Sequence, residues 1–305
     1  MSGIYLGTSD FAATVLRILA ASPERPELVV TLPDRRRGRG RKEQASPVAT
    51  CAEELGIEVL KSGNVNADED RTKILEVGGD WASICAFGQL IKEPLLSELP
   101  MLNVHPSLLP RWRGAAPVER AIMEGDAETG VCVMRLVAGL DSGPVALREA
   151  TPIDPDEDFG SLSARLAEIG GRLLVNGLAA ARKDGIIWEE QSEDGLTYAE
   201  KISTEDRELD PARTARQVHD QVRALTPHIG AWLPIGEDDR LGVRATTVLA
   251  TGPAPGQFED QEGWPVLGCG EGAIRLDRVT PPGKKEMDGD AWLRGSGQDI
   301  VPGST

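Results

Sequence analysis

Met101-Leu102-Asn103-Val104-His105-Pro106-Ser107-Leu108-Leu109-Pro110 reads as a strand that runs into a proline-bounded apolar turn. Residues two apart on a strand point to the same face, so Asn103 and His105 aim together. Upstream, the chain alternates between buried-type strands and amphipathic helices. Residues 3–7 form a short strand with a glycine exit, and Ser9 or Asp10 caps a helix through Ala12, Val15, Leu16 and Leu19. Residues 28–32 are a second strand, residues 46–55 a helix ending at Gly56, and residues 57–60 and 81–86 further strands. Such alternation predicts a mostly parallel α/β sheet. Ligands of these sheets bind beyond the carboxyl ends of the strands, which is where Asn103 and His105 fall.

Working outward, residues 131–136 and 144–150 read as hairpin partners around the turn Gly139-Leu140-Asp141-Ser142-Gly143. Ser161 to Lys183 is one long amphipathic helix, with Leu162, Leu166, Ile169, Leu173, Leu174 and Leu178 on its inner face. Residues 184–206 are poor in apolar side chains and read as a linker. Beyond Pro211 a helix over 212–225 precedes strand-like runs at 231–235, 241–249, 264–267 and 273–279, spaced as in a small β-barrel. The expected domains are 1–190, a linker 191–206, and 207–305.

Bulk composition narrows the function classes. With 305 residues, 40% hydrophobic and 27% charged, the chain is a globular protein of two-domain size. No apolar run is long enough for a membrane span, and the start of the chain lacks a signal peptide's basic region. Cys51, Cys85, Cys132 and Cys269 form no CxxC pair, which argues against a zinc site or a disulfide framework and for a reducing cytoplasm. The formal charge of −16 opposes general nucleic-acid binding. The exception is Arg35-Arg36-Arg37-Gly38-Arg39-Gly40-Arg41-Lys42, with six basic residues in eight. Gly7-Thr8-Ser9-Asp10 lacks both G-x-G-x-x-G and Walker spacing, so a dinucleotide site is not expected.

Asn103, His105 and Asp141 together carry what acyl transfer to an amine requires. A neutral amine needs no serine or cysteine intermediate. The transition state needs a donor for its oxyanion, which Asn103 can supply, and a group to move a proton, which His105 can supply. Asp141 is the candidate partner of His105. On the residues alone, Asn103 satisfying a turn and Asp141 in an ordinary hairpin are also open. His219, in a helix, and His228, in a loop, read as structural.

The segment Asn103–Pro117, ending Arg111-Trp112-Arg113-Gly114-Ala115-Ala116-Pro117, resembles the signature of 10-formyltetrahydrofolate-dependent formyltransferases. Gly125–Val131 and Gly139–Gly143 follow at that family's spacing. Gly7-Thr8-Ser9-Asp10-Phe11-Ala12 is similar to its G-T-P-D-F-A, with Ser9 in place of proline. Pro33–Arg35 and Gly38–Lys42 resemble its basic loop, and Tyr198–Ile202 and Pro282–Met287 carry the similarity into the second half.

The resemblance implies a Rossmann-like catalytic domain followed by an OB-like β-barrel domain. It implies 10-formyltetrahydrofolate as formyl donor, no metal, and methionyl initiator tRNA as the amine-bearing partner, with a monomer expected. By the same resemblance Asn103, His105 and Asp141 are catalytic, and Ser107, Leu108, Leu109 and Pro110 hold the folate. Arg35, Arg36, Arg37, Arg39, Arg41 and Lys42 meet tRNA. Residues 206–305 hold 11 basic and 16 acidic side chains, an unusual balance for a tRNA-contacting domain. A formyltransferase for another amine, such as a nucleotide sugar or glycinamide ribonucleotide, would use the same trio. A non-catalytic folate- or RNA-binding module is the alternative outside enzymes.

Overall fold

The computed structural model describes residues 3–37, 42–183, 185–235 and 239–297. They form two compact units. The first holds the described residues up to Pro117, Glu128–Pro152 and Ser163–Ala199; the second holds Val118–Ala127, Ile153–Leu162 and the described residues from Glu200 on.

In the first unit, β1 (Ile4–Gly7) leads to α1 (Asp10–Ala20), whose N-cap Ser9 accepts a hydrogen bond from the Ala12 amide. Then come β2 (Leu28–Thr31), β3 (Arg35–Arg37) and β4 (Lys42–Gln44). Next are α2 (Pro47–Glu54), β5 (Glu58–Lys61), α3 (Asp68–Val77) and β6 (Ala82–Cys85). The short α4 (Leu95–Glu98) precedes β7 (Met101–His105) and β8 (Arg113–Gly114). After α5 (Pro117–Met123) the strands β9 (Glu128–Arg135) and β10 (Val145–Pro152) form a hairpin, followed by α6 (Phe159–Ala181) and β11 (Tyr198–Ala199).

The main sheet has the order β10-β9-β7-β6-β1-β2-β5. The five strands from β7 to β5 are parallel, whereas β9 and β10 run antiparallel at one edge. The mostly parallel expectation therefore holds, with a two-strand antiparallel margin. Strand order reverses between β1 and β6, and Thr8 Oγ1 donates to Phe87 O at 2.7 Å across the two strand exits. On one face Ile4, Leu6, Ala82, Ile84 and Met101 pack with Ile74 of α3 and Leu95 of α4. On the other, Tyr5 is fully buried and its hydroxyl donates to Ala12 O in α1 at 2.6 Å. Leu102 and Val104 meet α6 there, close beside its glycines: a Cβ on Gly170 would stand 2.7 Å from Val104 Cγ1.

Two elements differ from the sequence expectation. The basic stretch is not a plain loop: β3 and β4 pair antiparallel, Arg35 with Gln44 and Arg37 with Lys42. Nor is the region after α6 a featureless linker. Glu189 bridges Val145, and β11 pairs parallel with β8. Backbone pairing needs no apolar side chains, so composition did not reveal it.

In the second unit, α7 (Ala215–Leu225) starts at a capping box made by Thr214 and Gln217. β12 (Ala231–Ile235), β13 (Asp239–Leu249), β14 (Phe258–Gln261), β15 (Trp264–Gly268), β16 (Ala273–Thr280) and β17 (Met287–Asp288) make an antiparallel sheet, followed by the short α8 (Gly289–Trp292). The sheet order is β12-β13-β16-β15-β14, with β17 on β16. Irregular register at Val243–Thr246 marks bulges, which bend a strand. Val218, Val222 and Leu225 of α7 share one core with Leu241, Val243, Ile274 and Leu276.

Candidate active site

β7 carries Met101, Asn103 and His105 on one face and ends there. In the adjacent β9, Met134 lies opposite Asn103 and Cys132 opposite His105. Asn103 and His105 are both buried, at 9% and 4% exposure, so their polar atoms must find partners inside the fold. His105 Nε2 lies 2.8 Å from Trp112 O. A carbonyl only accepts, so Nε2 bears the hydrogen, and Nδ1 is left as the nitrogen that can exchange a proton. Nδ1 faces Asp141 Oδ2 at 3.7 Å, and Asn103 Nδ2 approaches Asp141 Oδ1 at 3.5 Å. Both distances are long for hydrogen bonds.

Asp141 sits in the β9–β10 turn with φ 43°, in the left-handed region that Asp tolerates better than most residues. The Gly114 amide donates to its Oδ2 at 2.9 Å. Gly114 has φ 124°, and a Cβ there would stand 2.7 Å from Ala199 O, so this donor position requires glycine. The trio of the sequence reading is thus brought together in the first unit, by β7 and a turn 36 residues downstream of His105.

The turn after β7 is equally fixed. Ser107 is fully buried; its amide donates to His105 O at 2.9 Å and its hydroxyl to Arg111 O at 2.6 Å. Leu109 packs with Cys132, Met134 and Val145, while Leu108 and Pro110 are partly exposed. Of the basic segment, Arg35 is exposed. Arg36, Arg37 and Lys42 are placed by their backbone in the hairpin, and Arg39 and Arg41 lie outside the described residues.

Sequence reasoning missed three contributors. Gln191, inside the expected linker, bonds both to the Asp141 turn and to Arg113. Thr197 Oγ1 accepts from the Trp112 amide at 2.9 Å. The segment 86–90 leaves the carboxyl end of β6 beside β7; Gln89 braces it by donating to Ser62 O at 2.8 Å and accepting from the Val65 amide at 2.9 Å, which leaves Leu90 64% exposed. There the strand expected over residues 81–86 ends. Neither Gln191 nor Thr197 sits in an apolar pattern.

The other two histidines have structural partners. His228 stacks on Phe159 at 3.7 Å between ring centroids and meets Glu119 at 3.0 Å. His219 Nδ1 meets Thr246 Oγ1 at 2.9 Å, and burial pushes its pKa down. His219 also borders a cavity of about 670 Å³ in the second unit, with Arg216, Arg223 and Arg244 on its walls. All four cysteines are buried and free; burial pushes the Cys85 thiol up to about 12 and the Cys269 thiol up to about 11. Among the described residues no group of three or more His, Cys, Asp or Glu is arranged to hold a metal ion. No helix among them is long and apolar enough to cross a membrane.

A donor amide, an imidazole and a carboxylate converge, while Ser107 Oγ is committed to Arg111 O and Cys132, beside His105 in the sheet, carries a thiol that burial pushes up. Such a cluster suits direct group transfer to an incoming nucleophile better than a covalent enzyme intermediate. Comparison with known proteins gives this class its family. The formyl transferase family model matches residues 4–178, and the formyl transferase C-terminal domain model matches residues 201–297. The chain belongs to the formyl transferase family.

Among its relatives, a methionyl-tRNA formyltransferase of Parvibaculum lavamentivorans is 40% identical over 296 residues, covering 95% of this chain and 96% of the relative. One from Ruegeria pomeroyi is 40% identical over 298 residues, 97% of each. Among solved structures, an N-formyltransferase from Helicobacter canadensis in complex with folinic acid and dTDP-3-aminofucose has the same fold. Its TM-score is 0.69 at 16% identity, over 90% of this chain and 98% of that one.

Proposed function

We propose that this protein transfers the formyl group of 10-formyltetrahydrofolate to the amino group of methionyl initiator tRNA. The convergence of Asn103, His105 and Asp141 at the end of β7, in a chain 40% identical to methionyl-tRNA formyltransferases over nearly its whole length, carries this reading. When bound, the folate supplies the formyl carbon and its leaving nitrogen. The fixed turn Ser107–Pro110 is suited to hold it, with backbone groups for the polar ring and Leu108 for an apolar wall.

Asn103 Nδ2 donates to the formyl oxygen as negative charge develops on it. His105 Nδ1 takes the proton released by the attacking amine and returns one to the leaving nitrogen, while Nε2 stays anchored on Trp112 O. Asp141 orients both side chains and stabilises the imidazolium. No metal enters these roles.

The amine presented by tRNA fits the basic hairpin. Arg35, Arg36, Arg37, Arg39, Arg41 and Lys42 are assigned to the tRNA backbone, whose phosphates attract such a cluster on an otherwise acidic chain. Residues 1–190 are assigned to catalysis and 207–305 to tRNA contact, joined by 191–206. The protein acts in the cytoplasm as a monomer.

The test offers the formyl donor with charged initiator tRNA, charged elongator methionine tRNA and amino-sugar nucleotides in parallel. Turnover with initiator tRNA is expected. Turnover with amino sugars alone would replace the tRNA by a nucleotide-sugar substrate.

A further inference from the structure

Gln191 lies in the segment that returns to the main sheet after α6, and its carboxamide joins two parts of the site. Nε2 donates to Asp141 O at 2.8 Å and to Gly143 O at 2.7 Å. Oε1 accepts from Arg113 Nε at 2.9 Å and Arg113 Nη2 at 2.7 Å. Only one orientation of the amide satisfies all four bonds, because a guanidinium only donates and a carbonyl only accepts. The neighbours of Gln191 hold the same two parts. Glu189 exchanges backbone hydrogen bonds with Val145 at 2.8 and 2.9 Å. Thr197 and Ala199 accept from the amides of residues 112, 113, 115 and 116.

The turn held by Gln191 needs holding. Asp141 sits at φ 43°, and its carboxylate reaches Asn103 and His105 only over 3.5 and 3.7 Å. Its backbone carbonyl is tied to Gln191, and its carboxylate to the amide of Gly114, the residue that follows Arg113. Gln191 therefore grips the turn that carries Asp141 and, through Arg113, the strand that carries the Gly114 amide.

We propose that Gln191 is a positioning residue that sets the Asp141 carboxylate against Asn103 and His105. The inference rests on the assignment of Asp141 to the proton-handling site. Gln191→Glu keeps an acceptor for Arg113 but turns an oxygen toward the two carbonyls, so the turn is pushed off its position. Misplacement of a reacting group by about 1 Å costs on the order of 100-fold in rate.

The experiment measures kcat and both KM values for Gln191→Glu, Gln191→Met, Asp141→Asn and the Gln191→Glu/Asp141→Asn pair, with Tm for each. Gln191→Glu is expected to lower kcat by about 10- to 100-fold with each KM within about 3-fold. In the Asp141→Asn background the same change is expected to alter kcat by less than about 2-fold, because residues acting as a unit are not additive. A second readout needs no turnover: the Gly114 amide proton, donated to Asp141 Oδ2, moves upfield in Gln191→Met.

Unchanged kcat in both Gln191 variants, an equally large loss in the Asp141→Asn background, or an unmoved Gly114 resonance would each overturn the role of Gln191 and leave that of Asp141 standing. Wild-type kcat in Asp141→Asn would overturn the assignment of Asp141 and this inference with it.

Discussion

At the scale of the residue, β7 is an economical arrangement. Alternation along five positions gives Leu102 and Val104 to the packed face against α6 and leaves Asn103 and His105 on the face that ends at the site. Two polar side chains are buried because one β-turn carboxylate and one carbonyl meet them. Asn103→Ala removes the donor without exposing the sheet. It is expected to lower kcat by about 10²–10³-fold in a formylation assay with little change in Tm. A Tm loss of many degrees would instead make Asn103 a structural residue. The thiols give an independent check on burial. With Cys85 pushed up to about 12 and fully enclosed, native protein at pH 8 should resist iodoacetamide at Cys85, and labelling should appear only on unfolding, as read by peptide mass spectrometry. Asn103 and His105 were legible because a strand's two-residue period says which side chains travel together. Asp141 was a candidate on its chemistry and the resemblance pointed to it as well, but the meeting itself was not legible, since no local rule brings residues 36 apart into contact.

At the scale of the element, α6 carries a contradiction that its packing explains. Gly170 and Gly171 sit mid-helix, where each costs about 1 kcal/mol relative to alanine. An isolated helix would gain from Gly170→Ala. Here the new Cβ meets Val104 Cγ1 at 2.7 Å, between Asn103 and His105 on β7. Gly170→Ala is therefore expected to destabilise by about 1–3 kcal/mol, a lowered midpoint in urea unfolding, and to lower kcat as β7 shifts. A raised midpoint would show that the helix yields instead.

The β3–β4 hairpin belongs to the same scale. Its basic charges predict tRNA binding that weakens steeply with salt, and Arg35→Ala is expected to reduce the slope of log K against log salt by about 1 while folate binding is unaffected. Helix α6 was legible within two residues at each end, because its apolar period extends over many turns. Helix α3 was not, because only Ile74 of its ten residues is buried and no stripe exists to read.

At the scale of the whole molecule, both halves of the fold class were legible from the switch between strand–helix alternation and closely spaced strands. The division of the chain was less so. The second unit recruits Val118–Ala127 and Ile153–Leu162 from the first half of the sequence, and there Arg120 grips Asp206 through two hydrogen bonds of 2.8 Å. Arg120 holds the Asp206 carboxyl at about 2, below its ordinary 3.8. A carboxyl depressed in the folded state adds stability above its unfolded value and loses it as pH falls through the folded one. Asp206→Asn is thus expected to be less stable than the parent at pH 7 and to match it below about pH 2, measured by chemical unfolding across pH. A constant difference at all pH values would disconnect the pair from the acid transition.

Such interleaving has a consequence for biosynthesis. A ribosome delivers the chain from its amino end, so Val118–Ala127 and Ile153–Leu162 emerge long before the strands they join. The Asp141 turn likewise waits for Gln191 and Ala199 before its surroundings are complete. A nascent chain halted at residue 190 would therefore carry Asn103, His105 and Asp141 in sequence yet lack the Gln191 bonds that hold the Asp141 turn, and would leave two segments without the strands they join.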